Sequence, residues 1–264
     1  MQLNTDKMIA EIEDGIGWMT FNNPERRNAL SLDMWEGISA IIGSFQQDDS
    51  VRVVVMKGAG DKAFVSGADI SQFDEKRSNA EQAEAYSATM SNARRQLAEL
   101  DKPLIAMIRG YCLGGGLTVA LNADIRIASE DSQFGVPAAR LGIAYGYDAM
   151  KQLVDLVGPS FAKEIAFSAR RLSAEEALRI GLVNRLVPAD RLKETVRELA
   201  LTIASNAPLS VRAAKYTIGQ TLRDPAGRDF EEMDRMVKNC FESQDYVEGR
   251  TAFMQKRKPN FSGR

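Results

Sequence analysis

The residues best suited to chemistry in this sequence lie in two short glycine turns that share one pattern. "KAFVSGADI" spans residues 62–70 and "IRGYCLGGGLTVA" spans residues 108–120. Each follows an apolar, strand-like run and opens a helix-like one. Helix starts expose N–H groups that lack an intrahelical acceptor and sit at the positive end of the helix dipole. Two such groups aimed at one point would stabilise a developing oxyanion. Taken alone, either turn also reads as an ordinary tight strand-to-helix connection. Gly114, Gly115 and Gly116 together carry an entropic cost that close approach to the main chain would explain. The run is neither GxGxxG nor a P-loop with its Lys-Ser/Thr ending, so a nucleotide phosphate fits poorly.

Composition narrows the chemistry further. The 264 residues include no histidine and two cysteines, Cys112 and Cys240. Ser-His-Asp and Cys-His catalysis in their usual forms are therefore absent, as are imidazole ligands for zinc. Two cysteines cannot build a structural zinc site, so no metal is expected. Cys112, beside the second turn, reads as a small buried residue and not as a nucleophile. Acid–base work falls to Asp, Glu, Tyr, Lys, Cys or water. A formal net charge of −2 and a pI near 5.5 leave no electrostatic footprint for nucleic acid or an anionic membrane. No apolar run approaches the roughly 18 residues that span a bilayer. The N-terminal "MQLNTDKMIAEIEDG" lacks the apolar region of a signal peptide. The low cysteine count suits a reducing, cytoplasmic setting.

The elements that must hold these turns follow from pattern. "MIAEIED" and "IGWMTFN" read as strands joined at Asp14-Gly15 in a hairpin. Leu32, Trp35, Ile38, Ile41, Ile42 and Phe45 recur at helical spacing, with Ser31 as a candidate N-cap. "VRVVVMKG", "KPLIAMIRG" and "ADIRIASE" read as buried strands, and "AEQAEAYSATMSNARRQLAEL" as a long amphipathic helix. "DSQFGVPAARLGIAYGY" reads as loop-rich. Ser173 with Glu176 forms a capping-box pattern, and that helix closes at Gly181. Residues 190–258 read as successive helices broken at Pro208 and "RDPAGRD". The layout is an α/β core over residues 1–190 and a helical region over 191–264.

The two turns, "NPERRNALS" upstream, "DIRIASEDSQFGVPAARLGI" downstream and "EGRTAFMQKRKPNF" near the end resemble, in order and spacing, the enoyl-CoA hydratase/isomerase (crotonase) superfamily. The match runs from about Met8 to Phe261. The resemblance implies an α/β fold, a crotonase-like spiral of β-β-α units with a C-terminal helical trimerisation region, assembled as a homotrimer or dimer of trimers. It also implies an acyl-CoA thioester as substrate, with coenzyme A as part of that substrate and no further cofactor. The family's oxyanion donors fall on the backbone N–H groups of Ala68 and Gly115. Hydratases carry one catalytic glutamate two residues after the third glycine, which is Thr118 here, and another after the proline of the "FG.P" segment, which is Ala138.

With both carboxylates absent, two-glutamate hydration is expected to be lost or very weak. Decarboxylation, isomerisation or thioester hydrolysis takes precedence. The alternatives are a catalytically silent acyl-CoA-binding homologue and a weak hydratase of fatty-acid β-oxidation that uses Thr118 or Asp148. Tyr145 and Asp148 lie in the segment that covers the acyl end in this family. Tyr145 matches a tyrosine of the methylmalonyl-CoA decarboxylase branch, and "QDYVEGRTAFMQKRKPNF" is similar to that branch's C-terminal sequence. That branch, however, has histidine where this chain has Ala68. Asp148 reads equally as a helix N-cap, and Tyr145 as packing with one satisfied hydroxyl.

For coenzyme A, the resemblance assigns phosphate contacts to Arg26 or Arg27 and a pantetheine border to Ala29. It assigns backbone contacts to Ala68, Asp69 and Ile70, and contacts from a neighbouring subunit to Phe253 and Lys256. Asp69 itself reads as a helix cap. Arg27 also reads as a solvated loop charge, and Lys256 as a surface charge in the "QKRK" run.

Overall fold

The structure, a computed structural model, describes residues 3–69 and 80–264. It opens with the expected hairpin, β1 (Met8–Glu13) and β2 (Ile16–Phe21) paired antiparallel. Asp14 (φ 52°) and Gly15 (φ 79°) both take positive φ, the conformation that matches a two-residue turn to strand twist. Helix α1 (Leu32–Gln47) follows and buries Met34, Trp35, Ile38, Ile41, Ile42 and Phe45, one stripe of a 3.6-residue repeat. Ser31 holds its N-cap position, but its side chain makes no capping bond. The other end of α1 is clamped from outside. The buried Lys102 ammonium donates to the carbonyls of Phe45 (2.6 Å) and Asp48 (2.7 Å), satisfying acceptors at the negative end of the helix.

From Val53 to Gly135 the chain then winds so that successive strands alternate between two sheets. β3 (Val53–Gly58), β5 (Leu104–Ile108) and β7 (Ile125–Ser129) enter a six-stranded sheet of order β1-β2-β3-β5-β7-β10, which β10 (Arg185–Val187) completes. β4 (Ala63–Val65), β6 (Tyr111–Leu113), β8 (Gln133–Gly135) and β9 (Leu172–Ser173) form a four-stranded sheet in that order. The first sheet is parallel from β2 onward, and the second is parallel from β4 to β8. Residues 102–110 therefore do not feed the glycine run directly, as the sequence suggests. A bend at Gly110 (φ 67°) inserts β6, and a Cβ there would stand 2.1 Å from the Lys62 carbonyl oxygen. The passage 131–147, read as loop, contains β8 and a 3-10 turn over Pro137–Leu141.

Helices cover this frame. α2 (Ala80–Glu99) packs on α1 and buries Tyr86, Ala93 and Leu97. α3 (Gly115–Ala120) starts in the second glycine turn. α4 (Tyr147–Ser168) bends at Gly158 (φ 74°), ahead of Pro159, and its N-cap is Gly146, so Asp148 is not the cap but the second helical residue. α5 (Ala174–Arg179) has the Ser173–Glu176 capping box that its sequence announces. α6 (Leu192–Ala204) lies just beyond residue 190. It packs Leu192, Val196 and Ala200 against Ile16, Trp18, Val53, Val55, Ile105 and Ile127 of the six-stranded sheet. α7 (Pro208–Thr221), α8 (Phe230–Glu242) and α9 (Gln244–Met254) follow. The last residues fold back onto α9, where the buried Asp245 carboxylate accepts from the amides of Ser262 (2.7 Å) and Gly263 (2.9 Å).

Candidate active site

The two glycine turns meet, and the contact that joins them can be traced. Gly116 lies directly against β4: a Cβ there would stand 2.1 Å from the Val65 carbonyl oxygen. That approach carries the next residues, Ser66-Gly67-Ala68, to the start of α3. A Cβ placed on Gly115 would lie 3.6 Å from the Ala68 nitrogen and 3.8 Å from the Gly67 carbonyl carbon.

Hydrogen bonding sets which way the Ala68 N–H faces. Leu30 N donates to Gly67 O (2.8 Å) and Asp69 N donates to Leu30 O (2.8 Å), a parallel bridge centred on Ala68. Those bonds flank Ala68 and direct its own N–H away from Leu30, toward the second turn. In that turn Gly114 N donates to Gly135 O (2.8 Å), and Gly114 O accepts the first helical bond from Thr118 N (3.1 Å). Gly115 is the first helical residue, a position with no intrahelical acceptor. Among the described residues neither the Ala68 nor the Gly115 N–H has a backbone acceptor.

Side chains then define the rim. A Cβ on Gly114 would lie 3.5 Å from the Tyr145 hydroxyl and 3.7 Å from Pro137 Cδ, so the tyrosine stands beside the turn. Burial holds the Tyr145 phenol above its ordinary pKa, with Arg94 opposing that shift, and the group stays protonated at neutral pH. The Thr118 hydroxyl donates back to Gly115 O (2.8 Å) within its own helix. Ala138 is buried in the 3-10 turn and offers no titratable group. Asp148 is exposed in the first turn of α4 and faces Arg94 electrostatically. The sequence reading does not single out Arg94, which lies in the segment read as a long amphipathic helix. The available signal is its place four residues after Met90, which puts both on one helix face. Met90 and Tyr145 pack against the same core.

Thr118 also ties α3 to α4. Its carbonyl accepts from Asn122 Nδ2 (2.8 Å), and Asn122 Oδ1 accepts from Gln152 Nε2 (2.9 Å) on α4.

The expected coenzyme A contacts divide into two groups. Arg26 Nη1 lies 3.3 Å from Asp69 Oδ1, so the carboxylate read as a helix cap is engaged by the arginine read as a phosphate ligand. The Arg26 side chain is 57% exposed while that of Asp69 is 11% exposed, so the guanidinium reaches solvent from a largely buried carboxylate. Arg27 is not a free loop charge. Its guanidinium lies 5.3 Å from the centre of the Tyr111 ring, which Arg171 also approaches at 5.1 Å. Ala29 is half-buried beside them.

Asn28, which the sequence reading passed over, positions this loop. It takes φ 56°, and its amide donates to the carbonyls of Ala59 (3.0 Å) and Ala63 (2.8 Å). Ile70 lies outside the described residues. Phe253 and Lys256 stand exposed at the end of α9, and no hydrogen bond or ion pair among the described residues links them to the turns. Cys112 is fully buried in β6, and burial pushes its thiol far above the thiolate range, as expected of an inert residue. Among the described residues there is no cluster of metal-ligating side chains and no helix long and apolar enough to cross a membrane.

Comparison with known proteins agrees with this frame. The profile of the enoyl-CoA hydratase/isomerase family matches residues 11–264. A short-chain-enoyl-CoA hydratase from Clostridium acetobutylicum is 38% identical over 258 residues, covering 98% of this chain and 97% of its own. A crotonyl-CoA hydratase from Syntrophomonas wolfei is 35% identical, with 97% and 98% covered. The crystal structure of an enoyl-CoA hydratase/carnithine racemase from Magnetospirillum magneticum superposes with a TM-score of 0.93 at 39% identity, covering 99% of this chain and 97% of that one. The chain belongs to the enoyl-CoA hydratase/isomerase (crotonase) superfamily and is an enzyme of that group.

Proposed function

We propose that this enzyme transforms acyl-CoA thioesters by holding the thioester oxygen on the Ala68 and Gly115 N–H groups. The observation that supports this reading is the close approach of the two turns, 3.6 Å separating the Ala68 nitrogen from the place of a Gly115 side chain, with no backbone acceptor for either N–H among the described residues. Donors fixed in advance cost no reorganisation when negative charge develops on that oxygen, as an enolate or as a tetrahedral oxyanion. Because the charge grows toward the transition state, the same bonds are stronger there than with bound substrate.

The groups above the acyl chain favour decarboxylation, isomerisation or thioester hydrolysis over two-glutamate hydration. Thr118 and Ala138 occupy the positions where, by the resemblance, hydratases carry glutamate. In decarboxylation the electrons of the broken C–C bond pass to the enolate, carbon dioxide leaves, and no enzymic base is required. A protonated Tyr145 at the rim supports proton return to the enolate carbon. Arg26, Arg27 and Ala29, with the main chain at Asp69 and Ile70, would line the coenzyme A path. Phe253 and Lys256 would reach it from a neighbouring subunit. A trimer or dimer of trimers is supported by α8, whose Phe230, Val237 and Phe241 are exposed, and by a groove of about 550 Å³ lined by Leu209, Phe241, Tyr246, Phe253 and Phe261.

A second reading is an enoyl-CoA hydratase. The names of the two hydratase relatives favour it, and Asp148 near Tyr145 would be the group that positions water. The experiment is a thioester panel followed by mass spectrometry: crotonyl-CoA, a 3-enoyl-CoA, methylmalonyl-CoA and ethylmalonyl-CoA, with free coenzyme A as the hydrolysis readout. Loss of carbon dioxide, double-bond migration or thioester cleavage supports the first reading. Rapid hydration of crotonyl-CoA supports the second. Tight binding without turnover of any thioester identifies a silent acyl-CoA-binding homologue.

A further inference from the structure

We infer that the acyl group accepted here carries a carboxylate, received by the Arg94 guanidinium with the Tyr145 hydroxyl beside it. The inference rests on the acyl-thioester reading of the two glycine turns.

Arg94 is a cation whose charge acts on Tyr145. It lies one helical turn after Met90 on α2, on the face that packs toward the core shared with Tyr145. Its Nε is buried and has no hydrogen-bond partner. Asp148 and Tyr145 are the groups whose charges act on it. Neither forms an ion pair or hydrogen bond with it among the described residues, and Asp148 remains exposed to solvent. A guanidinium is always charged at physiological pH and presents a rigid fork of donors. Buried donors of this kind are normally satisfied, and an orphan in a native fold calls for an acceptor that the described residues do not supply.

The place of that acceptor follows from the turns. The Tyr145 hydroxyl lies 3.5 Å from the Cβ position of Gly114, so it borders the thioester carbon held next door at Gly115. Coenzyme A would leave the hole toward the Arg26–Arg27 loop, which leaves Tyr145 and Arg94 for the acyl group. A hydrocarbon acyl chain there would cover the guanidinium N–H without pairing it, at a penalty. A carboxylate matches the fork in two parallel, charge-assisted bonds. The site therefore selects for an anionic acyl group and against a neutral one of equal shape.

The test compares thioesters that differ in charge and not in shape. Malonyl-CoA is paired with isovaleryl-CoA, and glutaryl-CoA with 5-methylhexanoyl-CoA. Dissociation constants are measured by calorimetry on the full-length protein in its native assembly, and mass spectrometry tracks the ligand. In the wild type, one carboxyacyl thioester is expected to bind roughly 10- to 150-fold more tightly than its neutral partner, the range for a hydrogen bond to a charged group. Arg94→Gln should bring that ratio close to one. Arg94→Lys, which keeps the charge and loses the fork, should restore part of it, and it keeps the test open if the glutamine variant does not fold. Equal affinities in the wild type overturn the inference. So does an equal loss for both classes in Arg94→Gln, which would mark a purely structural arginine. If no thioester of either class binds more tightly than free coenzyme A, the reading of the glycine turns fails, and this inference fails with it.

Discussion

Alanine at Gly115 separates the proposed catalytic role of the second turn from its role in folding. The added methyl would meet Ala68 N at 3.6 Å, the Gly67 carbonyl carbon at 3.8 Å and Leu30 Cδ1 at 3.9 Å, all ordinary van der Waals distances. Gly115 begins a helix, where alanine in place of glycine typically adds about 0.4–1 kcal/mol of stability. The melting temperature should therefore stay level or rise by about 2–4 °C. Turnover should behave differently. An oxyanion must sit about 2.7–3.1 Å from its donors, and the methyl fills the space in front of the Ala68 nitrogen. We expect kcat to fall roughly 10²- to 10³-fold, equivalent to about 3–4 kcal/mol of transition-state stabilisation.

The neighbouring Gly116→Ala supplies the contrast. Its Cβ would lie 2.1 Å from the Val65 oxygen, so the β4–α3 contact must open, at a cost of about 1–3 kcal/mol or more. The assay is thermal unfolding alongside turnover of whichever thioester the panel identifies. A folded Gly115→Ala enzyme with kcat within threefold of wild type refutes the reasoning.

Three further outcomes are expected. The double variant Thr118→Glu/Ala138→Glu should raise hydration of crotonyl-CoA by about 10²-fold or more, the range of general acid–base catalysis, read as loss of the enoyl absorbance. An unchanged rate in a folded double variant would show that missing carboxylates do not limit hydration. Asp245→Ala removes the acceptor for the Ser262 and Gly263 amides, and should cost about 2–4 kcal/mol in denaturant unfolding while freeing the C-terminal residues to carboxypeptidase. Glu248, paired with Arg257 and accepting from the Asn260 amide, has a carboxyl held down to about 2, from an ordinary 4.5. Its contribution to tail docking is complete above the ordinary value and is lost as pH falls through about 2, which the chemical shift of the Asn260 amide should follow.

The parts of the fold legible in the sequence are those fixed by local chemistry. Asp14-Gly15 announces its turn because both residues tolerate positive φ, and Ser173 with Glu176 announces a helix start because each satisfies the other's backbone donor. α1 is legible because its six large apolar side chains repeat at helical spacing. β6, β8 and β9 are not, since strands of three residues or fewer show no period, and the partners of β6 and the parallel partner of β8 lie in a different sheet from the strand that precedes each. The family resemblance brought Ala68 and Gly115 to notice. Their convergence depends on the backbone contact between Gly116 and Val65, which no local pattern encodes. Arg94 was hidden for a related reason. A charge beside an apolar helical stripe points to solvent unless a neighbouring segment closes over it, and nothing in the α2 sequence shows that Tyr145 comes within electrostatic reach of Arg94.

The central claim is that two main-chain amides share one thioester oxygen, and the bound carbonyl itself reports on them. Infrared difference spectra of a ¹³C-carbonyl-labelled acyl-CoA, bound to wild type and to Gly115→Ala, give the most direct measurement. Two converging donors should lower the carbonyl stretch in the wild type relative to free thioester, and the added methyl should return it toward the solution value. A wild-type frequency equal to that of free thioester, for a ligand shown to be bound, would contradict the account.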